Sequence, residues 1–268
     1  MSDAVSLLQI STFGIATIGV LSFATWLASL VRHDVSLVDR VWSVLIASAG
    51  LAYAFELRPL NARAVCMLAL ALVWAGRLSL FITWRNWGHG EDRRYQVIRA
   101  RNEPHFGLKS LYLVFGLQAF LAWIVSAPLL VGLSSSAALG GLDVCGLALA
   151  VVGVVFEGVG DAQMARFKSD PANRGRVMSS GLWRYTRHPN YFGEACVWWG
   201  LWLMALSAGG LSGAWCVVSP LLMNFLLVKV SGVKLLEKDI GERRPAYREY
   251  IANTNAFIPG PPRGGPLS

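Results

Sequence analysis

The 268 residues are 54% hydrophobic and 15% charged, where soluble domains carry about 25% charged residues. That balance excludes an ordinary soluble enzyme or binding module. The net charge of +8 does not signal nucleic acid either, because the basic residues sit in loops between apolar runs, as the positive-inside rule describes for membrane proteins.

The chain reads as an all-α, polytopic membrane protein with a single integral-membrane domain over 1–268. The first apolar run is about Leu7 to Val31. Its flank, MSDAVS, has no basic residue, so a cleaved signal peptide is not expected. A second run, about Ser36 to Phe55, carries Asp39 and Arg40 side by side near its start. Neighbouring helical residues point apart, so the two need different partners. Arg40 is long enough to reach the headgroups. Asp39 is too short for that and is a candidate site residue.

A third run spans about Ala62 to Trp84 and leads into a long polar segment, 85–109. The fourth, about Ser110 to Leu133, ends in the uncharged SSSAALGG. The fifth, about Leu139 to Phe167, exceeds the ~20 residues a span needs, so its last turns should project beyond the hydrocarbon. After a second basic loop come a sixth run, Tyr191 to Ala208, a Gly/Ser turn, and a seventh run from Ala214 to about Gly232. The tail from Lys234 is polar and ends in IPGPPRGGPLS, too rich in Pro and Gly to be helical. Four cysteines, Cys66, Cys145, Cys196 and Cys216, are scattered through apolar stretches without a C-x-x-C pair. They form neither a disulfide framework nor a zinc site.

Segments 85–109, 166–190 and 229–263 hold six, six and seven of the 24 lysines and arginines, and the turns after the fourth and sixth runs hold none. Seven spans, with the N-terminus outside and the C-terminus in the cytoplasm, put all three basic segments on the cytoplasmic side. Arg58 and Arg63 then fall on the other side.

The chemistry concentrates around Ser179–Gly200, SSGLWRYTRHPNYFGEACVWWG. Pro189 is suited to a first helical position. Asn190 and Glu194 then share a helix face. The N–H groups of that helix start, with Arg184 and Arg187 beside them, make a cradle for a phosphate. Glu194 heads into an apolar environment and reads as a site residue; a buried Glu–Arg pair that only fixes packing is the other reading. On the fifth run, Glu157, Asp161 and Lys168 share a face. Arginines of the next loop or a ligand's hydroxyl and amide groups could satisfy the two carboxylates, and so could an internal salt-bridge network. The spacing matches no metal signature. Gly158-x-Gly160 is no dinucleotide fingerprint, since it lies inside a helix and not after a strand.

The stretch from Glu157 to Trp199, GEDRRY at 90–95 and the ending LLEKDIGERRPAYREYIANTNAFIP together resemble the steroid 5-alpha-reductase family, especially its bacterial branch, over roughly residues 36–260. The resemblance implies a seven-helix fold in a bacterial inner membrane, NADPH held on the cytoplasmic side, and reduction of the 4,5 double bond of a 3-oxo-4-ene steroid-like lipid. It implies a cofactor-binding half at about 157–260, with Asn86, Arg94, Tyr95, Glu157, Asp161, Lys168, Arg176, Asn190 and Glu194 as cofactor residues and Glu237 near the adenosine end. Glu157 stands where such reductases often have Asn. The family polarises the substrate ketone with a carboxylate on helix two and a tyrosine on helix three. Asp39 can stand for the first, and a protonated Asp39 would be a donor to the carbonyl oxygen. The third run contains no tyrosine.

Two alternatives stay open. The H-P-x-Y-x-G core also resembles the isoprenylcysteine and phospholipid methyltransferases, which use S-adenosylmethionine; Asn190, Glu194 and the wealth of arginine favour the reductases. A transporter would use intramembrane acids too, but there is no inverted repeat and the acids cluster on one side, not at the midplane. The partners expected are a hydrophobic substrate and membrane lipid, with no nucleic acid and no obligate protein partner.

Overall fold

The computed structural model describes residues 6–230, 237 and 245–263. Among these residues every regular element is helical: α1 (Leu7–Arg32), α2 (Leu37–Glu56), α3 (Ala62–Arg85), α4 (Arg93–Asn102), α5 (Phe106–Leu133), α6 (Gly141–Ser169), α7 (Pro189–Gly213), α8 (Val218–Phe225) and α9 (Ala246–Asn253). Of the polar tail that begins at Lys234, position 237 and residues 245–263 are described; Ala246–Asn253 is helical and the Pro- and Gly-rich stretch after it is not.

Among the described residues six stretches are long and apolar enough to cross a membrane: α1, α2, α3, α5, α6 and the 42-residue stretch Pro189–Val230. At ~1.5 Å per residue that last stretch would measure about 60 Å, roughly twice the hydrocarbon thickness. It is broken at Gly210, whose φ of 55° and ψ of −146° suit glycine alone. The sixth and seventh apolar runs of the sequence both lie within it. In α1, α3 and α6 only 28% of the most apolar window is buried, so most of the apolar surface faces outward, as lipid requires. The chain is a polytopic membrane protein.

Side-chain caps fix several helix starts. Ser6 and Gln9 form a reciprocal box at α1, with Ser6 Oγ accepting from Gln9 N at 3.2 Å and Gln9 Oε1 accepting from Ser6 N at 2.9 Å. Asn61 Oδ1 accepts from Ala64 N at the start of α3. Within α5, Leu111–Gly116 is π-helical. There the Phe115 carbonyl accepts from Ser22 Oγ of α1 at 3.0 Å, an external donor of the kind a widened turn calls for.

The chain forms two compact units. Among the described residues, the first comprises those up to Val144 with Leu201–Ser219, the second Cys145–Gly200 with those from Pro220 onward. In the first unit Trp74, Tyr53, Met67, Phe115 and Ile18 are fully buried. Trp26, Val35, Val38, Tyr95, Phe106, Val114 and Phe115 form one apolar cluster that seats α4 beside α1, α2 and α5. Arg63, 1% exposed, meets Asp143, 3% exposed, through two guanidinium nitrogens at 2.7 and 2.9 Å. Its remaining donors reach the Ala137 and Ala138 carbonyls, and Asp143 also accepts from Ser207 Oγ and Gly140 N. Arg63 is therefore not an unbalanced buried charge.

In the second unit α6 and α7 pack backbone to backbone. A Cβ on Gly193 would lie 2.5 Å from Glu157 N and 2.7 Å from Gly153 O, and one on Gly153 would lie 2.6 Å from Gly193 O. A Cβ on Gly200 would strike the Gly146 carbonyl. Small residues at such crossings let membrane helices approach closely, and here that approach buries Glu157 and Glu194.

Candidate functional site

Site-like residues gather in each unit. In the first, the turn of α2 that carries Asp39 meets the start of α4. Asp92 begins α4 by accepting from Arg94 N at 2.9 Å, and it also binds Arg94 Nε at 3.0 Å. That contact aims the far end of the guanidinium at Asp39, whose Oδ2 lies 2.7 Å from Arg94 Nη2. One residue on, the Tyr95 hydroxyl donates to Asp39 Oδ1 at 2.6 Å. Asp39 therefore accepts on both oxygens, and the phenol is the proton-bearing group of the pair.

Burial, reinforced by the Asp39 carboxylate, pushes the Tyr95 phenol above its ordinary value, so it stays protonated. Burial works against the charge on Arg94, yet Asp39 and Asp92 outweigh it and raise the guanidinium further. For Asp92 and Glu91, burial is outweighed by hydrogen bonds from Arg94 and from Arg99 respectively, and both carboxyls titrate below their ordinary range. Glu91 also accepts from Val35 N at 2.9 Å and from two Arg99 nitrogens at 2.9 and 2.8 Å, which ties α4 to the turn before α2. Asn86 ends α3. Its side chain accepts from Arg85 Nε at 3.2 Å. Arg40, read from sequence as an anchor reaching for headgroups, is instead turned toward Asp34 at 3.4 Å, with its side chain 13% exposed.

In the second unit, α6 brings Glu157 and Asp161 to the start of α7. Glu157, Asp161 and Glu194 are 1%, 5% and 7% exposed. Asn190 Nδ2 donates to Asp161 Oδ1 at 3.2 Å, which joins two of the expected cofactor residues. The loop between α6 and α7 is pinned by Trp183 Nε1 on the Gly160 carbonyl at 3.0 Å and by Gln163 Oε1 accepting from Leu182 N at 2.9 Å. Lys168, Arg174, Arg176 and Arg184 remain exposed.

Arg187 is not part of that exposed set. It is 7% exposed and binds Glu237 through two nitrogens, at 2.6 and 2.8 Å. Its other terminal nitrogen donates to the Ile251 and Thr254 carbonyls. His188, stacked flat on Tyr191 with ring centroids 5.3 Å apart, reaches the same Glu237 at 3.0 Å. Burial opposes the Glu237 charge, but the bonds from His188 and Arg187 outweigh it and hold the carboxyl at about 2. The sequence places Arg187 in a phosphate cradle and, through the family resemblance, Glu237 near the adenosine end, but does not pair the two, because nothing local in the RYTRHP run indicates that an acid 50 residues onward lies against it. Helix α4 was also missed, although Asp92 ahead of a stretch without Gly or Pro up to Glu103 is a readable helix start.

Among the described residues no group of three or more His, Cys, Asp or Glu is arranged to hold a metal ion.

A family model described as a protein of unknown function, DUF1295, matches residues 25–254. The uncharacterized protein C594.04c of Schizosaccharomyces pombe is 25% identical over 267 residues, an alignment covering 90% of this chain and 77% of the yeast protein. No solved structure matches.

Proposed function

Starting from the fact that the chain belongs to the DUF1295 family, we propose that it is an NADPH-dependent membrane reductase that saturates the 4,5 double bond of a 3-oxo-4-ene, steroid-like lipid. The observation that carries this reading is the Asp39–Tyr95 pair at 2.6 Å. The resemblance to the steroid 5-alpha-reductases calls for a carboxylate on helix two and a tyrosine on helix three, and the third helix has none. Tyr95, on α4, supplies a buried, protonated phenol beside the helix-two acid. A methyl transfer has no need of a group that polarises a ketone.

The residues of the second unit fit a dinucleotide. Asp161, Asn190, Glu157 and Glu194 offer buried oxygens and an amide to hydroxyl and carboxamide groups, while exposed Lys168, Arg174, Arg176 and Arg184 suit phosphates. Bound NADPH would supply the hydride. The chain's own contribution is to the substrate. As hydride reaches the β-carbon of the enone, negative charge grows on the carbonyl oxygen, and the Tyr95 hydroxyl turns from Asp39 to donate to it. Asp39, held by Arg94, keeps the phenol oxygen in position. Proton donation at that oxygen would give the enol; the α-carbon then takes a proton while the enol O–H proton returns to the Tyr95 oxygen, so that the net addition is one hydride and one proton.

In this reading the basic loops face the cytoplasm of a bacterial inner membrane, where NADPH is dissolved, and lipid delivers the substrate. The test is incubation of the purified protein with C4-deuterated NADPH and a 3-oxo-4-ene. Deuterium at the β-carbon is expected. Methylation of a lipid from S-adenosylmethionine, with no NADPH consumed, would replace this reading by the methyltransferase one.

A further inference from the structure

The C-terminal segment holds on to the start of α7 by bonds that involve no ligand. Tyr250 donates to the Trp183 carbonyl, and Thr186 Oγ1 donates to the Phe257 carbonyl at 2.8 Å. Arg187 N donates to the Asn255 carbonyl at 2.9 Å and Gly260 N to the Tyr185 carbonyl at 3.0 Å. Phe257 packs edge-on against Phe192, with centroids 6.1 Å apart. At the centre is Glu237, which receives Arg187 on both oxygens and His188 on one. Two residues after His188, Asn190 makes its bond to Asp161. The N–H groups of the first turn of α7 share the same anchorage.

We infer that Glu237 and Arg187 are positioning residues for the dinucleotide site, and that Arg187 does not read the cofactor's phosphates. This rests on the dinucleotide reading above. Three features support it. Arg187 already meets a carboxylate and two carbonyls, so a phosphate would have to displace a bidentate partner of the same charge. The guanidinium is buried, while the other basic side chains of the loop are exposed. The Glu237 carboxylate would also repel a phosphate placed beside Arg187. The discrimination between NADPH and NADH, which differ only in the 2′-phosphate, then belongs to the exposed basic side chains and not to Arg187. The C-terminal segment governs affinity for both nucleotides alike, by fixing where Asn190 and the helix start lie.

The experiment measures NADPH and NADH dissociation constants for the full-length protein in nanodiscs, together with backbone hydrogen exchange at Arg187 and Gly260. Arg187→Lys and Glu237→Gln should each weaken both nucleotides by the same factor, about 10- to 100-fold for a lost charged hydrogen-bond pair, and leave the NADH-to-NADPH ratio of the parent unchanged. The double variant should be no weaker than the worse single, since the two residues act as one unit. Exchange at Arg187 and Gly260 should accelerate in both. A ratio that collapses toward one in Arg187→Lys alone would overturn the inference, because Arg187 would then be a phosphate ligand. Parent-like affinity in the folded fraction of both variants, with only the melting temperature lowered, would overturn it as well. If the parent binds neither nucleotide, the dinucleotide reading itself fails and this inference goes with it.

Discussion

Tyr95 and Asp39 are 56 residues apart in the sequence, yet the phenol of one donates to the carboxylate of the other at 2.6 Å. The contact depends on α4, which the cluster of Trp26, Val35, Val38 and Phe106 seats beside α2. If Tyr95 is the donor to the developing enolate, Tyr95→Phe should lower the single-turnover rate by on the order of 10²-fold, with NADPH affinity unchanged. Asp39→Asn should slow the same step, since it disturbs the hydroxyl's resting partner. Parent-like turnover in Tyr95→Phe would remove the phenol from the chemistry.

Asn190 tests the other unit. Its amide meets Asp161, and both flank the start of α7. Asn190→Ala should weaken NADPH by about 10- to 100-fold, corresponding to roughly 1–3 kcal/mol for groups left unpaired in a buried site. The melting temperature without nucleotide should move little. A variant that binds NADPH like the parent but melts earlier would make Asn190 a packing residue only.

The Arg63–Asp143 pair makes a prediction independent of any ligand. Removing one partner leaves the other charge buried, so Arg63→Met or Asp143→Leu should each destabilise the first unit by about 3–5 kcal/mol. The Arg63→Met/Asp143→Leu double variant should cost less than either single. Thermal unfolding in detergent reads the difference, and singles as stable as the parent would show that the ion pair holds nothing together.

Acid should act on Glu237. Its carboxyl titrates at about 2 in the folded protein against an ordinary value of 4.5, so the unfolded chain binds the proton first. The stabilisation is fully present above the ordinary value and is lost as the pH falls from 4.5 toward 2. Melting temperatures taken from pH 7 down to 3 should therefore decline more steeply in the parent than in Glu237→Gln. Parallel acid limbs would mean that Glu237 contributes no pH-dependent stability.

Orientation can be read by thiol labelling. Ser136 and Arg101 are exposed, whereas Ser135 is bonded to the Ala208 carbonyl and makes a poorer probe. In a background lacking the native cysteines, an impermeant maleimide applied to intact cells should modify Ser136→Cys and spare Arg101→Cys. The reverse pattern would place the basic loops outside.

Much of this was legible in the sequence because a membrane imposes a simple code. Apolar runs of the right length placed the helices to within a few residues, and the four-residue spacing of Glu157 and Asp161 put both acids on a face that the structure buries. What escaped was contact at a distance. Arg63 looked misplaced because its neutralising partner lies 80 residues away, at the start of α6. Arg187 looked like a free cation because Glu237 is remote in sequence. The acid on α2, for which the sequence names no partner, has two, since the polar loop that carries Arg94 and Tyr95 folds into a short helix. Hydropathy reports where a chain is dry; it does not report which charges meet there.

The backbone contact between α6 and α7 sets limits on how this chain can drift. In a library of random substitutions selected for folded protein, positions 153, 193 and 200 should return glycine alone, because even one methyl group would strike the facing backbone. Gly19, Gly76 and Gly141 also sit on helices, but an added Cβ at those positions meets nothing within 4 Å, and alanine there should survive freely. Such a map would recover the line along which the two helices touch from genotype counts alone.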